Sequence, residues 1–221
     1  MAAAVDLHMH VHVDRFNRPG VDPEFRPGSA GEIAETRREM GVPEGYLLYV
    51  GTLEPRKNVG KLLDAWETLR AENPETPPLV LAGPPGWESG RMKRRIESLA
   101  PQGLRFLGRV ERSRLVRLFQ AARVFVYPSL YEGFGLPPAE AMACGVPVVV
   151  SSSSSLPEVV GDAGLKVEPG DAGALAGAIR RVLDDPGRAA EMAARGVERA
   201  ARFRWEKAAR EMEEVFREAL E

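Results

Sequence analysis

Residues 124–145 constrain the chain more than any other stretch. Val124-Phe125-Val126-Tyr127 is an apolar run of strand-forming residues, Gly133 and Gly135 follow it, and Pro137-Pro138 open a short helix. A strand, a glycine turn and a helix N-terminus together make a site for an anion. Glycine lets the backbone approach a bound group closely, and the unpaired N–H groups of the first helical turn carry the positive end of the helix dipole. Pro137 and Pro138 have no N–H, so the donors fall to Gly133, Phe134, Gly135, Leu136 and Ala139. Glu132 stands before this helix and Glu140 about one turn into it. Carboxylates are poor phosphate ligands and good acceptors for sugar hydroxyls. An amide cradle flanked by two of them therefore suits a ligand that carries both a diphosphate and sugars. On spacing alone a plainer reading stands beside this one: the glycines and prolines shape a tight turn and both glutamates are solvated.

The same strand, loop and helix pattern recurs along the chain. Residues 46–50 are an apolar run ended by Gly51, and Arg56, Lys57 and Asn58 close the loop that follows. Val59, Leu62, Leu63, Trp66 and Leu69 then fall on one helical face. Arginine offers a planar fork and lysine a mobile point charge, and both suit a diphosphate, although two cations in a loop are by themselves ordinary solvated charges. Residues 78–82 and 104–107 read as further strands. Between them lie a loop containing Trp87, which could stack on a ligand or cap the core, and a basic amphipathic helix through Leu99. Gly108-Arg109-Val110 precede a helix near 112–121. Residues 147–150 read as the next strand and the serine run 151–155 as a solvated loop. Ser155 with Glu158 matches a capping box, and Asp171 can cap the helix that runs to about Leu183. A further helix is expected over about 187–201. From about Trp205 a terminal helix aligns Ala208, Met212, Val215, Phe216, Ala219 and Leu220 in an apolar stripe suited to a partner domain or a second copy.

At least five short, non-alternating apolar strands interleaved with helices predict an α/β fold, a Rossmann-like parallel sheet with helices on both faces. Ligands bind such sheets beyond the C-terminal ends of the strands, where the Arg56-Lys57 and Glu132 loops both fall. At 221 residues, with 44% hydrophobic and 28% charged residues, the chain suits one sizeable soluble domain. We place that domain at 20–221, with 1–19 as a tail or strand. A net charge of -2 gives no general pull toward nucleic acid or anionic lipid. The apolar runs are too short to span a bilayer and the N-terminus has no secretory pattern. With Cys144 alone no internal disulfide is possible, which agrees with a reducing, cytoplasmic setting. His8, His10 and His12 would share one face of a strand, but no other histidine exists to complete a metal site, so neither metal nor cofactor is expected.

Glu132 and Glu140, with seven residues between them within EGFGLPPAEAMACGVPVVVS, resemble the signature of the retaining glycosyltransferases of GT-B family four. The resemblance covers the chain from about Gly20 onward and is to the C-terminal, donor-binding domain. It implies transfer of a sugar from a nucleotide diphosphate donor, of GDP-mannose or UDP-sugar type, to an acceptor hydroxyl with retention. The absence of any Asp-x-Asp pair speaks against the metal-assisted chemistry of the other main glycosyltransferase fold.

In that resemblance Arg56 and Lys57, within GTLEPRKN, would stabilise the departing diphosphate together with the Gly135 and Leu136 amides. Glu132 would hold hydroxyls of the transferred sugar and Glu140 those of the ribose. Gly51, Gly108, Val110, Gly133 and Phe134 would line the donor. One departure stands out: Thr52 occupies a position where many members carry arginine. The acceptor, a sugar, a lipid-linked sugar or a small molecule, would meet an N-terminal domain for which the twenty residues before the linker-like GVD segment leave no room, so the chain alone should transfer negligibly. A non-catalytic nucleotide-sugar binding module is the alternative. Adding an N-terminal domain restores transfer only in the first case.

Overall fold

The computed structural model describes residues 19–86 and 89–220. The readings placed on His8, His10, His12 and Trp87 lie outside the described residues. Six strands form one sheet: β1 (Leu47–Val50), β2 (Leu79–Ala82), β3 (Leu104–Phe106), β4 (Val124–Tyr127), β5 (Val148–Ser151) and β6 (Gly164–Val167). Every pairing is parallel and the order is β3-β2-β1-β4-β5-β6, the doubly wound, Rossmann-like arrangement expected. All residues of β1, β2, β4 and β5 are buried, as helices on both faces require. The two edge strands carry exposed Arg105 and Lys166, charges that oppose pairing with another chain.

Helices α1 (Ala30–Met40) and α4 (Arg112–Ala121) pack together, as do α2 (Val59–Glu72) with α7 (Ala172–Leu183) and α5 (Leu136–Ala143) with α8 (Pro186–Ala200). The remaining helices are α3 (Ser89–Leu99), the short α6 (Leu156–Val160) and α9 (Trp205–Leu220). The apolar face predicted on α2 is buried at Val59, Leu62, Leu63, Trp66 and Leu69, and burying each of the two leucines is worth roughly 1.5–3 kcal/mol. Local signals set most boundaries. Ser29 and Glu32 form a reciprocal capping box at the start of α1, and Gly41, at φ 60°, ends it. Asp171 accepts from the Ala174 amide at 2.8 Å and starts α7, as expected.

One expected cap is absent. Ser155 lies in the helical region of backbone space and its side chain caps nothing. Its hydroxyl is taken by carbonyls of the loop after β4, so no capping box with Glu158 forms. Along the stripe of α9, Val215 is buried while Met212 and Phe216 are exposed; the side chains of Ala219 and Leu220 lie outside those described. Among the described residues no helix is long and apolar enough to cross a membrane.

The sheet topology positions the site. β1 and β4 are neighbours at the point where the strand order reverses, so the loops that follow them lie side by side at the C-terminal edge of the sheet, where ligands of such folds bind. On the β1 side the loops are held by backbone contact alone: Gly51 N–H donates to Ala82 O at 2.9 Å, and Gly83 N–H to Gly108 O at 2.7 Å. Gly83 has φ 142°, and a Cβ there would lie 2.1 Å from Gly51 O. Only glycine permits that approach.

Candidate functional site

The basic loop leaves β1 and makes one 3-10 turn, Pro55–Lys57. Asn58, at φ 55°, turns the chain from there into α2, a conformation asparagine tolerates better than most residues. Its side-chain amide donates to Pro128 O (3.1 Å) and Pro169 O (2.6 Å), tying together the loops after β1, β4 and β6. The Leu130 amide and the Ser129 hydroxyl both donate to Arg56 O, at 2.9 and 3.2 Å. Two loops some 75 residues apart in sequence are thereby joined along their length.

Their side chains meet as well. Lys57 Nζ lies 2.6 Å from Glu132 Oε1 and donates to the Tyr127 hydroxyl at 2.8 Å. Lys57 is only 8% exposed, and its ammonium sits 5.3 Å from the Tyr127 ring centre, which in turn stacks on Tyr49 and Phe125. Arg56 reaches Glu54 (2.7 Å), the Tyr131 carbonyl (2.8 Å) and Glu132 Oε2 (3.4 Å), and its side chain remains 45% exposed. Burial alone would push the Glu132 carboxyl up; hydrogen bonds from Lys57, Ser129 and Tyr127 outweigh it and hold the group below the usual carboxylate range, hence ionised. Burial likewise opposes the charge on Arg56, and Glu132 and Glu54 overcome it. The site thus holds one nearly buried cation fixed to a carboxylate beside one half-exposed cation at the surface.

The cradle lies beside this pair. Gly135, at φ 102°, turns the loop into α5, which begins at Leu136, one residue before the two prolines. The Ala139 amide lies 3.5 Å from Gly135 O inside the helix, which removes it from the expected donors. The amides of Phe134, Gly135 and Leu136 donate to none of the described residues. Gly133 is exposed at the lip of the loop. The Phe134 ring packs edge-on against Phe203 at 5.2 Å, so this residue faces the cradle through its backbone only.

The serine run is not the solvated loop its composition suggested. Ser151 is fully buried at the end of β5, and its hydroxyl and that of Ser153 both bond to Ser129 O. Ser154 Oγ accepts from the Glu132 amide at 2.9 Å, and the Ser155 hydroxyl bonds to the carbonyls of Glu132 (3.1 Å) and Phe134 (2.7 Å). Low complexity conceals this, because the partners lie some twenty residues away in another loop.

Glu140 lies about one turn into α5, with Arg112 and Asp22 as its charged neighbours. No hydrogen bond reaches its carboxylate among the described residues. Burial pushes the carboxyl up to about 7; Arg112 opposes the shift and Asp22 adds to it. Arg112 is itself held by Asp22 at 2.6 Å, a contact with the segment before α1 that spacing alone did not reveal. Cys144, one turn on, is buried, and its thiol is pushed up to about 12 by that burial and by Glu140, so it is inert. Gly108 has open space beside its Cα, and Val110 in the same loop packs on the core. Thr52 supplies only a carbonyl, which accepts from the Tyr49 hydroxyl at 3.2 Å. The structure therefore brings Arg56, Lys57 and Glu132 together beside the cradle, and gives Glu140 a separate set of charged neighbours, Arg112 and Asp22. Tyr127, Ser129, Ser154 and Arg112 join the site without having been singled out by sequence; for Tyr127 the available signal was its place at the end of the strand that feeds the motif.

Residues 33–203 match the family described as Glycosyl transferases group 1. The chain belongs to that family. As a group 1 glycosyltransferase domain of the GT-B C-terminal type, it is 49% identical over 164 residues to O-antigen chain mannosyltransferase B of Escherichia coli, covering 74% of this chain and 43% of that protein. It is 35% identical over 218 residues to D-inositol 3-phosphate glycosyltransferase 2 of Catenulispora acidiphila, covering 92% of this chain and 50% of that one. Among solved structures, sucrose-phosphate synthase of Thermosynechococcus elongatus superposes with a TM-score of 0.77 at 34% identity, over 91% of this chain and 51% of that one. This group 1 domain thus spans about half, or less, of the length of the proteins it resembles.

Proposed function

We propose that this group 1 domain binds the nucleotide diphosphate sugar donor of a retaining glycosyltransferase, and that GDP-mannose is the first donor to test. The observation that carries the reading is the meeting of the Arg56-Lys57 loop with the Glu132–Leu136 loop at the switch point of the sheet, beside three backbone amides that donate to none of the described residues. Departure of a nucleoside diphosphate builds negative charge on its terminal phosphate, and preset donors lower that barrier. The Gly135 and Leu136 amides would face the phosphates. Arg56, exposed and bound at its rim to Glu54, would exchange that carboxylate for a phosphate oxygen. Lys57 is too enclosed to swing outward; it would hold Glu132 in place for the sugar hydroxyls and add positive potential from behind. Glu140, half-buried and without a hydrogen-bond partner among the described residues, would accept from the ribose hydroxyls.

Similarity to a mannosyltransferase at 49% identity favours mannose over other sugars. The acceptor, a sugar, a lipid-linked sugar or a small molecule, would approach from the open side of the crevice. On this reading the domain binds donor alone and transfers only when a second domain covers that side. Calorimetric titration with GDP, UDP, ADP and their common sugars tests the first part. Binding of one nucleotide diphosphate, abolished or much weakened in Arg56→Ala, is the expected result. No binding of any of them, or turnover by this chain alone at ordinary enzyme rates, would overturn the reading.

A further inference from the structure

Five consecutive serines begin at the last residue of β5, and each of the first, third, fourth and fifth places its hydroxyl against the loop that carries Glu132. Ser154 is the least expected of them. It has φ 49°, one of two non-glycine residues with positive φ among those described. Such a conformation costs a serine about 1 kcal/mol or more and persists only where the surroundings enforce it. What it achieves is specific: it brings Oγ within 2.9 Å of the Glu132 amide. Ser155 secures the same segment through the carbonyls of Glu132 and Phe134. With one amide and two carbonyls fixed, the peptide planes from Glu132 to Gly135 have little freedom to rotate. Ser129, which receives Ser151 and Ser153 on its carbonyl, passes its own hydroxyl to Arg56 O and Tyr131 O, so the restraint extends to the basic loop.

We infer that Ser154 and Ser155 are positioning residues of the donor site: they fix the backbone of residues 132–135 so that the Glu132 side chain stays against Lys57 and the cradle amides stay aimed outward. The inference rests on the donor-site reading above, and it goes further by placing the control of cradle geometry in the neighbouring loop after β5. A hydrogen bond lost from a preset amide nest lets the nest fluctuate, and an anion must then reorder it on binding.

Ser154→Gly separates this role from a merely structural one. Glycine adopts φ 49° without strain, which offsets its greater freedom in the unfolded chain, so the melting temperature should fall by no more than about 4 °C. A change of that size leaves the chain folded and cannot by itself alter affinity. The expected result is an affinity for GDP or UDP, whichever the wild type binds, weakened about tenfold, the usual worth of one such bond. Hydrogen exchange at 131–136 should rise in the ligand-free variant. Ser154→Asn, which tolerates positive φ and offers a carbonyl acceptor, should restore much of the affinity. Ser155→Ala should weaken binding further than Ser154→Gly, since it frees two carbonyls.

Equal affinity of Ser154→Gly and wild type would overturn the inference, as would unchanged exchange at 131–136. Failure of the wild type to bind either nucleotide would strike the donor-site reading instead, and the exchange measurement would still decide whether Ser154 holds the Glu132 amide.

Discussion

Glu140→Gln tests the candidate site where stability and binding should move in opposite directions. The Glu140 carboxyl is raised from its ordinary 4.5 to about 7 because burial disfavours its charge and Asp22 adds repulsion, with Arg112 opposing both. Between those two values the folded chain binds more protons at this group than the unfolded chain does, so stability falls as the pH rises from about 4.5 to 7 and is level above that. At 1.36 kcal/mol per tenfold change the full displacement corresponds to roughly 3 kcal/mol. Partial access of water reduces it to about 1–3 kcal/mol. Glutamine fills the same volume without a charge. Arg112 and Asp22 are the charged groups facing the site, and the Cys144 thiol, pushed up to about 12, stays protonated across the window. At pH 8 Glu140→Gln should therefore melt about 5 °C above the wild type, while at pH 5 the two should nearly coincide. Donor affinity should fall at least tenfold, since hydrogen bonds to a charged acceptor are worth about 1.5–3 kcal/mol. Thermal melts across pH 5–8 and calorimetry at pH 8 make the comparison. A variant no more stable than wild type at pH 8 would refute the desolvation argument. Unchanged affinity would refute the ribose role.

Two further substitutions probe the frame around the crevice. Lys57→Met should cost about 3 kcal/mol by leaving Glu132 nearly buried without its main partner, whereas Lys57→Met combined with Glu132→Gln should cost less than the two singles added; urea unfolding that finds strict additivity would show the pair to be uncoupled. Because the Glu132 carboxyl is held low, its stabilising effect is present above the ordinary carboxylate range and disappears as the pH falls through its folded value, so the Lys57 effect should shrink in acid. Gly83→Ala should destabilise by about 2 kcal/mol or more and displace the loop at Gly51, since its Cβ would lie 2.1 Å from that carbonyl; unfolding curves superposing on wild type would refute the close approach.

Most of the secondary structure follows from local pattern. Apolar runs such as Leu79–Ala82 are buried strands because residues of that kind, flanked by loops and helices, have nowhere else to lie. Ser29 with Glu32 and Asp171 cap helices because their partners are three residues away. Ser155 obeyed the same local rule on paper and broke it in the fold, because carbonyls from the Glu132 loop are closer to its hydroxyl than the helix it precedes. The glycines and prolines of the motif, and the basic pair after β1, marked both halves of the site in advance. That Lys57 is the enclosed cation and Arg56 the exposed one, that Ser154 accepts the strain of positive φ to hold Glu132, and that Glu140 is desolvated beside Arg112 and Asp22 are decided by tertiary structure. Sequence pattern reports what each segment favours along its own backbone. Which side chains become partners depends on strand order and on the crossover from β3 to β4 that sets β4 beside β1, and no local preference encodes either.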